Sequence, residues 1–156
     1  MNEFDQLIED TLYGRRLVSY ADSCFVTNES GLELLRCKED ILENLEKVLQ
    51  KIDISLSAHP ITIRQFIGLQ YILGGYLVNA ARHDPRRAVQ FIQSLCPMLI
   101  QKFIAKIPVF FEKKNNKFKY GISLPQEYIE LINSHINSER SEIAATAQRA
   151  LEKLSS

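Results

Sequence analysis

Hydrophobic residues recur three and four apart along most of this chain, the spacing of a helix with one buried face. The rhythm is clearest over residues 32–52. There Leu34, Leu35, Ile41, Leu42, Leu45, Val48, Leu49 and Ile52 form a stripe, with Glu33, Lys38, Glu39, Glu43, Glu46, Lys47 and Lys51 mostly outside it. Residues 61–81 (ITIRQFIGLQYILGGYLVNAA) depart from this in the apolar direction. Arg64 is their one charged side chain, and no wide polar face remains, which predicts a central helix covered nearly all round. Arg64, Gln65, Gln70 and Asn79 break the run before it reaches the ~18 apolar residues that a membrane span needs. Gly68, Gly74 and Gly75 each cost about 1 kcal/mol against alanine within a helix. Apolar residues continue on both sides of Gly74-Gly75, so the helix is expected to be continuous. Gly68 and Gly75 share a face where a neighbouring helix can come close.

Around these two helices the punctuation is local. Phe4, Leu7, Ile8 and Leu12 predict a helix over residues 2–13, ended by Gly14 or continued through Leu17 and Val18 to Tyr20, and DSCFVTNESG at 22–31 reads as a loop. Arg82-His83-Asp84-Pro85 marks a boundary: Asp84 suits an N-cap and Pro85 a first helical position. The helix over 86–95 turns Ala88, Phe91, Ile92 and Leu95 inward, until Pro97 kinks or ends it. Another follows over 98–107 with Leu99, Phe103, Ile104 and Ile107 inward. Pro108 then introduces a different texture. Residues 109–122 (VFFEKKNNKFKYGI) read as a β-hairpin turning at Asn115-Asn116, because asparagine tolerates the positive φ of a two-residue turn, the alternative being a disordered basic loop. In that register Phe111 faces Tyr120, Glu112 faces Lys119 and Lys113 faces Phe118, giving an aromatic pair and an ion pair. Ser123-Leu124-Pro125-Gln126 has the capping-box form S-x-x-Q and opens a helix carrying Tyr128, Leu131, Ile132 and His135. A last helix over 139–154 uses Ile143, Ala147, Ala150, Leu151 and Leu154. The expectation is an all-α single domain spanning 1–156, six or seven antiparallel helices in a HEAT-like or irregular bundle with one hairpin insert.

The last two helices, YIELINSHINSERSEIAATAQRALEKL, resemble a HEAT repeat: a leucine-spaced helix, a short polar turn, and a helix ending Ala150-Leu151-Glu152-Lys153-Leu154. Ile63-Arg64 resembles the hydrophobic-arginine step that opens the second helix of such repeats, and it precedes Ile143 by two periods of about 40 residues. Ile143 is followed by Ala144 where the family usually has arginine. The resemblance covers about half the chain. It implies a stack of antiparallel helices with a scaffold or binding role and no catalysis.

Composition narrows the class. With 156 residues, 46% hydrophobic and 24% charged, the chain is long enough to fold around a core and too apolar to be disordered. Cys24, Cys37 and Cys96 lack metal-ligand spacing and read as buried free thiols. The acidic start, MNEFDQLIEDTL, lacks a signal pattern, so a cytoplasmic protein is expected. No phosphate loop, dinucleotide fingerprint, hydrolase elbow or H-E-x-x-H motif occurs, and His59, His83 and His135 are isolated. No enzyme, cofactor or metal is implied.

Charge is distributed unevenly beneath a net charge of zero. Residues 1–53 carry 12 acidic and 6 basic side chains, 54–120 carry 2 and 10, and 121–156 carry 5 and 3. Two features of the basic middle break local rules. Arg86 and Arg87 stand in a helix's first turn, where the macrodipole disfavours cations, with Arg82 and His83 just before. Near the hairpin, Phe110, Phe111, Phe118 and Tyr120 alternate with Lys113, Lys114, Lys117 and Lys119. The expected partner surface is therefore Arg82, Arg86 and Arg87 together with Phe111, Lys113, Lys114, Lys117, Lys119 and Tyr120. It suits another protein with an acidic surface, in an adaptor or an inhibitor such as a toxin-neutralising immunity protein, a class matched by size and texture. The alternative is a nucleic-acid binder using basic–aromatic interleaving. Against both stands salt bridging of the arginines to the acidic first third.

Overall fold

The computed structural model describes residues 38–56 and 63–155. The helix expected over 2–13, the loop at 22–31, the start of the 32–52 helix, a Thr62 cap, Cys24, Cys37 and His59 lie outside them. Six helices and one two-stranded hairpin make up the described chain: α1 Lys38–Leu56, α2 Ile63–His83, α3 Pro85–Gln93, α4 Pro97–Phe110, β1 Lys113–Lys114, β2 Lys117–Phe118, α5 Gln126–Ser134 and α6 Ser141–Ser155. The all-α class with a hairpin insert is what the patterning predicts. Among the described residues no helix is long and apolar enough to cross a membrane. By its contacts the chain divides into two compact units, Met1–Asn79 and Ala80–Ser156.

In the first unit, α1 buries the predicted stripe, with Leu42, Leu45, Leu49 and Ile52 at 1% exposure or less. Glu43 and Lys47 pair on its outer face at 3.3 Å. The helix runs past Ile52 to Leu56, since nothing in Asp53-Ile54-Ser55-Leu56 forbids the conformation. The central helix α2 is unbroken through Gly74-Gly75, and residues 72–80 are buried without exception, so no polar face exists over these turns. Glu46 reaches inward from α1, and the fully buried Tyr76 of α2 donates its hydroxyl to Glu46 Oε2 at 2.6 Å. Burying that phenol is tolerable because its O–H has a charged acceptor.

The second unit is built from two helix pairs. Asp84 caps α3 as predicted, its Oδ1 accepting from the Arg87 amide at 3.1 Å, with Pro85 in the first turn. The helix ends at Gln93, two residues short of the expected Leu95. Ser94 turns its hydroxyl back onto the Phe91 carbonyl at 2.6 Å, and Cys96 is extended (φ −66°, ψ 156°), as a residue before proline prefers. Pro97 therefore starts α4 rather than kinking its predecessor. Pro108, expected to close that helix, lies buried in its final turn, and the Phe111 amide still reaches the Ile107 carbonyl at 3.0 Å. The predicted Leu99, Phe103, Ile104 and Ile107 of α4 are buried, and Ile100 and Pro108 join them.

The capping box at 123–126 does not form. Pro125, extended at φ −68° and ψ 144°, occupies the N-cap position of α5 and offers no side-chain cap, so residues 122–125 stay outside the helix. Tyr128, Leu131 and Ile132 are buried as predicted. His135 instead caps the other end half-buried, its Nε2 2.9 Å from Gln93 Oε1.

The order of the four helices follows from side-chain contacts. Gln93, at the end of α3, donates to Ser134, at the end of α5 and 41 positions on. At their other ends Arg86 and Glu127 line one groove. Gln101 in the first half of α4 donates at 3.1 Å to Thr146 in the first half of α6, 45 positions on. Lys106 and Lys153, towards the ends of the same two helices, are near enough to repel one another. Thus α3 runs parallel to α5 and α4 parallel to α6. Residues 94–96 and 135–140 are short enough for each pair to fold back on itself. Within the second unit the α4–α6 seam is the most extensive helix contact. Ala147 and Ala150 of α6 and Phe103, Ile104 and Ile107 of α4 are all buried, and small side chains such as alanine let packed helices come close.

Candidate functional site

The hairpin turns where predicted. Asn115 and Asn116 both adopt positive φ (53° and 63°), the condition for a tight two-residue turn of matching twist. Lys113 pairs with Phe118 and Lys114 with Lys117, and the Lys119 amide donates to the Glu112 carbonyl at 2.9 Å. Beyond the strands, side chains depart from the expected cross-strand pairs. Lys119 places its ammonium over the Tyr120 ring, 5.4 Å from the centroid, rather than on the Glu112 carboxylate. Lys113 does lie over its predicted cross-strand partner Phe118, at 4.8 Å.

Phe111 requires a correction. It does not face Tyr120 and is not a surface residue: it is 3% exposed and meets the buried Tyr128 edge-on, with ring centroids 5.6 Å apart. Because α4 continues to Phe110, Phe111 falls at the helix C-cap and turns into the core. Phe110 takes the expected role, stacked on Tyr120 at 5.7 Å. Tyr128 in turn has its phenol held well above the usual tyrosine range by burial and by neighbouring Glu127. Lys113, Lys114, Lys117 and Lys119 are exposed, while Phe118 and Tyr120 are half-buried.

At the start of α3, Arg86 is exposed and Arg82 and Arg87 are half-buried. Arg86 shares a groove with Glu127 and Glu130 of α5, so carboxylates from the same unit already stand opposite it. The Asp84 carboxylate that caps the helix lies at the same terminus. The two expected patches are not merged into one. Arg86 borders Glu127 in the α3–α5 groove, whereas Phe118 and Lys113 border Ile129 in a separate cavity. Both lie beside the first turn of α5.

That cavity, about 770 Å³, opens under the hairpin between the ends of α4 and α6 and the start of α5. Pro108, Val109, Phe118, Leu124, Ile129 and Leu154 give it apolar walls. Val109 is 41% exposed there, one of the large hydrophobic side chains this fold leaves in solvent. Lys113 and Lys153 stand among these walls, with Glu112 the acidic lining residue. Lys153 is also close enough to Lys106 to repel it, and Lys106 repels Lys102 one turn earlier. Partial burial, reinforced by this like charge, lowers both ammonium groups of α4 from the usual lysine range. The sequence reading missed Lys102, Lys106, Lys153 and Val109. The i,i+4 spacing of Lys102 and Lys106 was visible, but their meeting with Lys153 depends on how α4 and α6 pair.

Chemically, the arrangement offers apolar burial beside positive charge. Among the described residues, no group of three or more histidine, cysteine, aspartate or glutamate side chains could hold a metal ion. The chain matches no protein-family model, and comparison with curated proteins and with solved structures likewise gives no match.

Proposed function

We propose that this chain is a non-enzymatic protein-binding module of HEAT-like construction, acting as an adaptor or inhibitor. The observation that carries the reading is the in-register stacking of α3–α4 on α5–α6, first helix on first and second on second. Its offsets of 41 and 45 residues fall within the period of such repeats. Stacked helix pairs bury a continuous core between neighbours and leave extended faces for a partner. The lysine-bearing hairpin adds charge on a projecting loop, the kind of segment in which binding residues concentrate.

The four exposed hairpin lysines also favour a nucleic-acid reading. The aromatic faces argue against it. Single-strand binding relies on rings free to stack with bases. Here Lys113 covers Phe118, Phe110 and Lys119 lie against Tyr120, and Phe111 is buried. Affinity capture from native lysate, with and without nuclease, followed by reconstitution with each purified candidate, separates the two. A protein that survives nuclease and forms a stoichiometric complex supports the module. Capture that vanishes with nuclease, together with an affinity for oligonucleotide falling steeply with salt, overturns it.

A further inference from the structure

We propose that the cavity beneath the hairpin receives an acidic segment of the partner polypeptide, with one or two large hydrophobic side chains of that segment as the anchor. This rests on the protein-binding reading and names the chemistry of its partner. A volume of about 770 Å³ is in the range of sites that enclose ligand groups, large for a packing defect. Its walls supply what an anchor needs, with Val109 left 41% exposed and Pro108, Leu124, Ile129 and Leu154 around it. Binding energy concentrates where such a side chain is fully desolvated within a ring of polar groups.

The ring here is cationic. Lys113 and Lys153 line the cavity, Lys106 adjoins Lys153, and Lys114, Lys117 and Lys119 continue the charge over the hairpin. Among the described lining residues the acidic one is Glu112. An arriving carboxylate finds its counter-charges on the exposed hairpin lysines Lys113, Lys114, Lys117 and Lys119. Positive charge spread over a strand pair and two helix ends matches several acidic residues along a peptide better than one anionic group. An aliphatic floor with the nearby ring faces already covered offers bases no place to stack.

The test is a selection of 12-residue peptides from a random display library on the purified chain, followed by affinities of the synthetic winners at 150 mM NaCl. The expected winners place Asp or Glu around Leu, Ile or Phe. Their Kd should rise at least tenfold in Lys113→Glu/Lys153→Glu and in Val109→Asp, and stay unchanged in Lys51→Glu on α1. Circular dichroism and thermal melting establish that each variant is folded, and Lys113→Gln and Val109→Ser repeat the test more gently should either fail. Winners without acidic bias, winners indifferent to these substitutions, or no enrichment overturn the proposal. So does a dT20 oligonucleotide whose binding needs the lysines but ignores Val109. If a captured protein partner still binds Lys113→Glu/Lys153→Glu at wild-type affinity, the cavity proposal falls while the module reading stands. If the chain binds neither peptide nor protein, both fall.

Discussion

Asp84 holds the start of α3 by two separable effects, and substituting it twice tells them apart. Helix α3 has only nine residues, so its first turn is a large part of it. Pro85 has no amide hydrogen, and the Ala88 amide reaches the Asp84 carbonyl only at 3.4 Å. The well-formed bond at this terminus is the one from the Arg87 amide to Asp84 Oδ1, at 3.1 Å on an exposed surface. Removing an N-cap acceptor costs about 0.5–2 kcal/mol, typically near 1. The carboxylate also brings negative charge to a positive helix end that already bears Arg86 and Arg87, worth about 0.3–1 kcal/mol at low salt.

Asp84→Ala loses both contributions, and Asp84→Asn keeps an acceptor while losing the charge. Urea denaturation in 20 mM buffer should show the alanine variant less stable by about 1–2 kcal/mol and the asparagine variant by less than about 1. At 1 M salt, where the screening length is about 3 Å, the asparagine deficit should vanish and the alanine deficit remain. Hydrogen exchange should quicken at Arg86–Ala88 in the alanine variant alone. An asparagine variant as unstable as alanine at every salt concentration refutes the assignment of the hydrogen bond. An alanine variant indistinguishable from wild type refutes the cap altogether.

Other substitutions probe the core and the stack. Gln70 has both side-chain amide atoms buried with no hydrogen-bond partner, so Gln70→Leu should raise the urea midpoint, because an unsatisfied buried polar group costs about 1–3 kcal/mol. Gly75→Leu should lower the melting temperature: filling a buried position over-packs it by about 1–3 kcal/mol, more than the ~1 kcal/mol that helix propensity returns. An unchanged melting temperature would mean that there is room beside α2. Burial lowers the His135 imidazole below its ordinary value of 6.5, so the folded state resists protonation that the unfolded chain accepts. Its stabilising share is complete above pH 6.5 and is lost as pH falls through the folded value; the urea midpoint should drop across that window, and drop less in His135→Gln.

What the sequence disclosed was local. The stripes of α1 and α4, the Asp84-Pro85 boundary and the Asn115-Asn116 turn each rest on residues within one or two turns of one another. In each case short-range geometry decides the outcome. The misreadings arose where a neighbour from elsewhere in the chain intervened. Alternation alone cannot say which of Phe110 and Phe111 turns inward. That depended on Pro108 being accommodated in the last turn of α4 and on Tyr128 waiting opposite. The S-x-x-Q signature at Ser123 was real as a pattern, but Pro125 took the cap position in extended conformation. The cavity was illegible because Val109, Lys113, Ile129 and Lys153 converge only once α6 lies along α4.

The same convergence explains why the link between the two helix pairs is long. Connections in helical bundles usually run about 2–8 residues. Residues 111–125 exceed that, and a shorter link would carry α5 directly onto the end of α4. The space under the hairpin is therefore a consequence of the insert, which holds the first turn of α5 away from Val109. An isolated two-stranded hairpin is marginal in water. This one is pinned at its base by Phe111 on Tyr128 and by Phe110 on Tyr120, leaving the lysine-bearing strands beyond those contacts in solvent. Such an element belongs to the low-stability end of a fold, where segments that adjust to a partner are found. The proposed binding role rests on that combination: packed helix pairs, a lysine-bearing hairpin tied down at its base, and an apolar hollow beneath it.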